Sequence, residues 1–325
     1  MCGFFVIFAG MKEIYFAGGC FWGVEHFFKG VDGVVKTTPG YSNGKTENPT
    51  YEQVYTDTTG FAETVKVEYD PAKVSLQQLV RLFFAIIDPE SLNRQGNDEG
   101  TRYRTGIYYT DEAEKPAIDE IFSRIPGKVV TELEPLRNFY PAEEYHADYL
   151  DKNPQGYCHL SLKTFRYLRM YQDLKLVLAD ESDEIAKMAQ IAAYVQERMG
   201  FFWTGFYRVD FSTSLEMTML SSRPGEARGE ILILGPFQGP PACMRIKFGR
   251  GVCGTAWKEK RTLAVADVEE FPGHIACSAE SRSEIVVPVI RNGEVTAVLD
   301  IDSKETGTFD RTDAAFLEMI VEDCL

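Results

Sequence analysis

The chain has 325 residues, enough for about two domains, and its 44% hydrophobic and 26% charged residues are the ordinary balance of a soluble globular protein. Lys and Arg number 34 against 49 Asp and Glu, a net charge of −15 that phosphate backbones and anionic lipid would repel, which disfavours nucleic-acid and membrane-surface roles. Seven cysteines lie far apart with no CxxC pair, which excludes a zinc knuckle and a small secreted disulfide scaffold and points to a reducing cytoplasm.

Residues 1–10 are apolar without a basic start and read as an extension outside the core, with an extra packed strand or helix turn as the alternative. From Met11 the chain reads as a domain start. Residues 12–18 alternate as a strand and end in Gly18-Gly19; apolar residues at helical spacing follow from Phe21 to Lys29, so Cys20 sits where a helix begins. A second strand spans 61–69, and a helix follows over 75–87 with Ser75 as N-cap. Residues 88–104, rich in Asn, Gly, Asp and Arg, form a long loop of functional character. Helices are expected over 111–123 and 142–151. A boundary falls near 153–166, then one helical segment to about 199. Strands and turns dominate 201–303, with Asn292-Gly293 the clearest hairpin turn. A last helix starts near Arg311.

Cys20 opens a helix behind two glycines, so the helix dipole favours a thiolate, and Phe21 and Trp22 set an apolar wall beside it. Alone, the position reads equally as a nucleophile or as a buried structural thiol. Strand parity puts Phe61, Glu63, Val65, Val67 and Tyr69 on one face, making Glu63 the one carboxylate on an apolar face. Desolvation raises such a group's pKa and makes it a proton donor near neutral pH; the alternative is a strand-end side chain that reaches water.

The string from Gly19 to Glu25, GCFWGVE, with GYSNG, NPTYEQV, TGFAETVKVEYDP, NRQGNDEGTRYRTGIYY, AEEYHADYL and KNPQGYC, resembles the A-type peptide methionine sulfoxide reductases over residues 11–160. The resemblance implies that Cys20 attacks the sulfoxide sulfur, Glu63 protonates the departing oxygen and Tyr51 and Tyr103 hydrogen-bond it. Asp98 would help order the site, and Phe21 and Trp22 would hold the substrate methyl. Cys158 would resolve the sulfenic acid on Cys20 to a disulfide, which thioredoxin or another dithiol reduces. Two positions depart from the family: Phe61 where histidine is usual and Asn43 where glycine is usual. A glycine-rich tail after GYC is missing. His146 and His159 are read as surface or packing residues.

In the second half Cys253 lies in GRGVCGTAW, a glycine turn into a helix, which makes it a candidate for a stabilised thiolate. Asp300 and Asp302 share one face of a strand, a costly pairing unless a cation or proton is shared between them, and Glu284 can add a third carboxylate. Acids with thiols suit a small ammonium-bearing substrate such as a free amino acid; a polar rim holding water or a metal is the alternative. The strings LGPFQGPPACMRIKFGRGVCGTAW, EEFPGHIACSAESRSEIVVPV and GEVTAVLDIDS resemble the free methionine-(R)-sulfoxide reductases, built on a GAF domain, over residues 165–325. That implies Cys277 as nucleophile, Cys243 as its main resolver and Cys253 in an open role: resolving, structural or nucleophilic. Glu284, Asp300 and Asp302 would hold the amine, and Trp203 and Tyr207 would close round the methyl end. Residues 211–229 lengthen a hairpin loop relative to that family.

Both resemblances imply α+β folds: a two-layer sandwich, then a GAF domain with a central antiparallel sheet. The expected function is a cytoplasmic, bifunctional methionine sulfoxide reductase that acts on oxidised proteins and free methionine sulfoxide, has thioredoxin as partner, and binds no cofactor and no metal. The rivals are an A-type reductase with a ligand-sensing, non-catalytic GAF domain, and a general peroxidatic thiol protein.

Overall fold

The computed structural model describes residues 10–210, 231–275 and 278–325; the expectations for residues 1–9, for the 211–229 loop and for Cys277 lie outside the described residues. Two compact units divide the chain, Met1–Phe165 and Arg166–Leu325.

In the first unit the alternating segment forms β1 (Lys12–Gly18), and α1 (Phe21–Lys29) starts directly after Gly19 and Cys20. Strands β2 (Val34–Ser42), β3 (Ala62–Tyr69), β6 (Thr105–Tyr109), β7 (Glu132–Pro135) and β8 (Phe139–Pro141) join β1 in the order β7-β6-β1-β3-β2-β8 among the described residues. All these pairings are antiparallel except β6 with β7. Short β4 (Arg94–Gln95) and β5 (Asp98–Glu99) form a separate ribbon inside the loop read as functional. Ser75 caps α3 (Leu76–Ile86) by accepting from the Gln78 N–H, a bond of about 0.5–2 kcal/mol. Phe16 of β1 stacks between Phe28 of α1 and Phe83 of α3, each at 4.7 Å, so both helices cover one sheet face. Each such buried aromatic contributes about 1.5–3 kcal/mol. The remaining helices are α2 (Tyr51–Tyr55), α4 (Lys115–Phe122) and α5 (Tyr149–Lys152).

Two local expectations change, and one strand is added: β2, with Pro39 and Gly40 inside it, has no counterpart among the expected elements and is a strand through its pairing with β3 and β8. The helix expected over 142–151 shrinks to α5, because Asp148 takes a left-handed φ of 53° and residues 144–148 turn instead. The helical stretch to 199 is two helices, α6 (Leu162–Val177) and α7 (Glu184–Met199), broken where the Asp183 carboxylate accepts from the N–H groups of Ile185 and Ala186.

The second unit has β9 (Trp203–Val209), β10 (Ile231–Gln238), β11 (Arg245–Lys247), β12 (Leu263–Val265), β13 (Ser283–Arg291) and β14 (Glu294–Ser303). Among the described residues they order as β11-β10-β9-β14-β13-β12, every neighbour antiparallel. Asn292 and Gly293, both at positive φ, close the β13–β14 hairpin. Helix α8 (Gly251–Glu259) packs Cys253, Ala256 and Trp257 against Tyr207, Val286 and Val298. Helix α9 (Arg311–Cys324) stacks Phe316 on Tyr167 of α6 at 5.3 Å. Both units mix helix and sheet, as α+β folds do.

Candidate active sites

The β1 strand stops at Gly18, the chain turns through Gly19 at φ +85°, and Cys20 becomes the N-cap of α1. Glu63, on β3, reaches under this helix start: its carboxylate accepts from the Phe21 N–H at 3.1 Å. Glu63 is 2% exposed, on the same strand face as buried Phe61, Val65, Val67 and Tyr69. Burial pushes its pKa up to about 8, although the Phe21 N–H and the Arg102 charge pull the other way. The acid is therefore mostly protonated at neutral pH.

Cys20 is itself 6% exposed. Burial first, then Glu63, push its thiol well above the ordinary range, and the Trp22 N–H only partly opposes them. The thiolate expected from the helix dipole is thus not the resting form. A partial charge at one helix turn is worth about 0.3–2 kcal/mol, less than enclosing a full charge among apolar rings.

Two phenols flank the pair. Tyr51 begins α2, whose start is secured by a capping box on Thr50 and by the Tyr51 N–H donating to Glu143 at 2.8 Å. Tyr103 ends the turn Thr101–Tyr103 that follows β5. Burial and then Glu63 hold both phenols up, Tyr51 to about 12, so both stay donors. Arg102 sits between the rings of Tyr55 and Tyr103, 4.3 and 4.4 Å from their centroids, and pairs with Asp57 at 2.6 Å. That sandwich sets Tyr103. Neither Arg102 nor Asp57 had a local signal, since they lie 45 residues apart.

Phe21 is buried, and Trp22 stacks on Tyr149 of α5 at 3.7 Å. The indole N–H donates to His146 Nδ1 at 3.1 Å. His146, 1% exposed, also lies against Phe21 at 4.9 Å and Tyr51 at 4.7 Å. Read as a surface or packing residue in the sequence, it is a packing residue that also accepts the Trp22 indole N–H. Phe61, the departure from histidine, is buried against Tyr140 at 5.8 Å.

Cys158 is a free, half-buried thiol raised by burial. Its segment lies on α1 at Gly23: a Cβ there would stand 3.2 Å from Cys158 Sγ and 3.0 Å from the His159 ring. Glycine three residues after Cys20 thus admits the second thiol. Asp98 accepts a hydrogen bond from the neighbouring Tyr157 and its field reaches both Cys20 and Cys158. Burial drops His159 to about 4, so it stays neutral.

In the second unit a pocket is lined by Trp203, Tyr207, Cys253, Glu284, Asp300 and Asp302, among others. Register explains the cluster: Glu284 pairs with Asp302 across β13–β14 and Asp300 faces Val286, so the three acids share one face. Cys253 enters from α8, its Sγ 3.8 Å from Glu284 Oε1. Burial and mutual repulsion push Glu284 and Asp300 well above the carboxylate range, and burial brings Asp302 to about 6. The Cys253 thiol is raised by burial and by Asp300 and Glu284, so the thiolate expected there is also not the resting form. Trp203 donates its indole N–H to the Pro240 carbonyl at 3.1 Å and stacks along Tyr207. His274, missed in the sequence, lies 3.9 Å from Glu284. Cys243 is disulfide-bonded, while Cys20, Cys158, Cys253 and Cys324 are free.

A buried thiol at a helix start, faced by a neutral acid and two phenols and followed by a second thiol, places the chain among thiol-dependent oxidoreductases. Residues 12–175 match the family model for peptide methionine sulfoxide reductase, and residues 183–324 match that for the GAF domain. The chain belongs to the peptide methionine sulfoxide reductase family and is an enzyme of that class with a GAF domain behind it. The peptide methionine sulfoxide reductase MsrA of Clostridium acetobutylicum is 54% identical over 154 residues, 46% of this chain and 95% of the relative. Among solved structures, the free methionine-R-sulfoxide reductase of Neisseria meningitidis with its substrate is 43% identical, covering 50% of this chain and 89% of its own at a TM-score of 0.45. Mxr1 of Saccharomyces cerevisiae in reduced form is 40% identical, covering 47% and 93% at a TM-score of 0.45. No helix among the described residues is long and apolar enough to cross a membrane.

Proposed function

We propose that the first unit reduces methionine-(S)-sulfoxide, in peptides and as the free amino acid, with Cys20 as nucleophile. The observation that carries this is a buried, mostly neutral Glu63 at the start of the helix that Cys20 caps. In the reaction the sulfoxide S–O bond breaks and a new S–O bond forms on Cys20. Glu63 gives its proton to the oxygen and recovers the thiol proton, so Cys20 becomes a sulfenic acid and the sulfide leaves. Tyr51 and Tyr103 donate to that oxygen, while Phe21 and Trp22 enclose the methyl. Cys158 then attacks the sulfenic acid, water leaves, and a Cys20–Cys158 disulfide remains for thioredoxin or a similar dithiol to reduce. Working in the cytoplasm with a thiol donor, the protein needs no bound cofactor and no metal for this cycle.

Cys158→Ser is expected to release one equivalent of methionine per chain and stop, leaving a sulfenic acid on Cys20 that a dimedone-type probe captures. Sustained thioredoxin-driven cycling by this variant would assign resolution to another thiol.

The second unit is proposed to reduce free methionine-(R)-sulfoxide, with Cys277 as nucleophile and Cys243 as resolver. Support comes from the three-acid cavity closed by Trp203 and Tyr207, and from Cys243 being engaged in a disulfide. An incoming ammonium group stabilises the ionised forms of Glu284, Asp300 and Asp302, and their protons leave as it binds. Hydrogen bonds to charged groups contribute about 1.5–3 kcal/mol each, so a substrate lacking two of them loses at least about a hundredfold, at 1.4 kcal/mol per tenfold. With the full chain carrying Cys20→Ser, free methionine-R-sulfoxide should be reduced at least that much more efficiently than its N-acetyl form. Equal kcat/KM on both would remove the amine-recognition reading, and no turnover of either would return this unit to ligand sensing.

A further inference from the structure

Cys253 is a buried thiol without an assigned part in that cycle: it is free while Cys243 is disulfide-bonded. We propose that Cys253, Glu284 and Asp300 form a site for a thiophilic divalent cation of the zinc class, which occupies the cavity and blocks it reversibly. One donor atom from each residue lies within 4.8 Å of the other two, all three residues being buried. The Cys253 Sγ to Glu284 Oε1 separation of 3.8 Å is close to the edge of about 3.6 Å that a tetrahedral zinc sets between a sulfur at 2.3 Å and an oxygen at 2.0–2.2 Å.

A second, independent observation points to a ligand here. Asp300 Oδ1 is buried with no hydrogen-bond partner, on a residue only 6% exposed. A buried acceptor in that state costs free energy unless something fills it, and a cation held by the two neighbours would fill it. His274 lines the same cavity, and its Nε2 stands 3.9 Å from Glu284 Oε2, within reach of a fourth position after a small ring movement. The donor set chooses the metal. One sulfur with carboxylate oxygens and an imidazole suits zinc, cobalt or cadmium, whereas magnesium and calcium favour oxygen alone. Binding exchanges the thiol proton for the metal and involves no change of oxidation state. The cation would sit where the second unit is proposed to hold its substrate's amine, so metal and amino acid compete; this competition rests on the proposed R-sulfoxide activity.

Cobalt(II) is the direct probe, because thiolate ligation produces a charge-transfer absorption in the near ultraviolet. The full chain carrying Cys20→Ser and Cys158→Ser, which removes the thiols of the first site, is titrated with Co²⁺ without oxygen. The expected result is one bound ion with that absorption. Cys253→Ser should abolish the absorption. Asp300→Asn, which keeps the side-chain shape, should weaken binding by at least about 10–100-fold, the loss seen when even an outer partner of a ligand is removed. Absorption that survives Cys253→Ser, or affinity unchanged in Asp300→Asn with the thermal unfolding curve intact, overturns the site. Saturating methionine-R-sulfoxide should release the ion, and an ion left in place overturns the competition. A metal-free chain that binds Co²⁺ as described yet never reduces R-sulfoxide supports the metal site and overturns the second activity, so the two failures are separable.

Discussion

Replacing Cys20 with serine is expected to abolish reduction of peptidyl methionine-S-sulfoxide while leaving the free R-sulfoxide activity proposed for the second unit intact. The serine hydroxyl has nearly the same shape, so Glu63, Phe21 and the α1 start should stay in place; what disappears is the nucleophile. Cys158 cannot substitute for it. Glu63 is not hydrogen-bonded to Cys158 but to the Phe21 N–H, one residue beyond Cys20. The measurement is sulfoxide consumption on a peptide containing S-sulfoxide, beside thermal unfolding to confirm the fold. Peptide turnover above a hundredth of the parent rate would show that Cys20 is not the attacking thiol.

Glu63→Gln should lower kcat by about 10²–10⁴-fold, the contribution of a positioned general acid, with a much smaller change in KM. The amide preserves the acceptor for the Phe21 N–H but carries no transferable proton. The pH dependence separates this role from a structural one. Burial raises Glu63 to about 8, so the neutral acid predominates below that pH and is lost above it. The parent rate at saturating substrate should therefore fall as pH climbs through about 8, roughly tenfold per unit once most of the acid is ionised. The Gln variant should lack that fall. Its rate should instead follow the Cys20 thiol alone, rising with pH, because no neighbouring carboxylate remains to oppose the thiolate. A variant with parental kcat, or with the parental alkaline decline, would place the proton donor elsewhere, with Tyr51 and Tyr103 the next candidates.

Much of the chemistry was legible along the chain because it is carried by local pattern. Parity in residues 61–69 singled out Glu63 as an acid on an apolar face, and the strand places it there, 2% exposed. The change from strand period to helix period around Gly19 located Cys20 at a helix start, and parity again aligned Asp300 with Asp302. Period and turn residues are short-range properties, so a sequence displays them directly.

Tertiary structure decided the electrostatic state of these groups and the company they keep. Both Cys20 and Cys253 looked like dipole-stabilised thiolates, yet burial and neighbouring acids raise both, because desolvation depends on everything packed around a group and not on its own helix turn. Strand β2, with Pro39-Gly40 inside it and no counterpart among the expected elements, is a strand through its neighbours. The Arg102 sandwich, the His146 support of Trp22 and the approach of Cys158 over Gly23 join residues tens to more than a hundred positions apart. No spacing rule connects such residues. Which side chain could react was written in sequence periodicity; in which protonation state, and held by what, was settled when distant segments closed on one another.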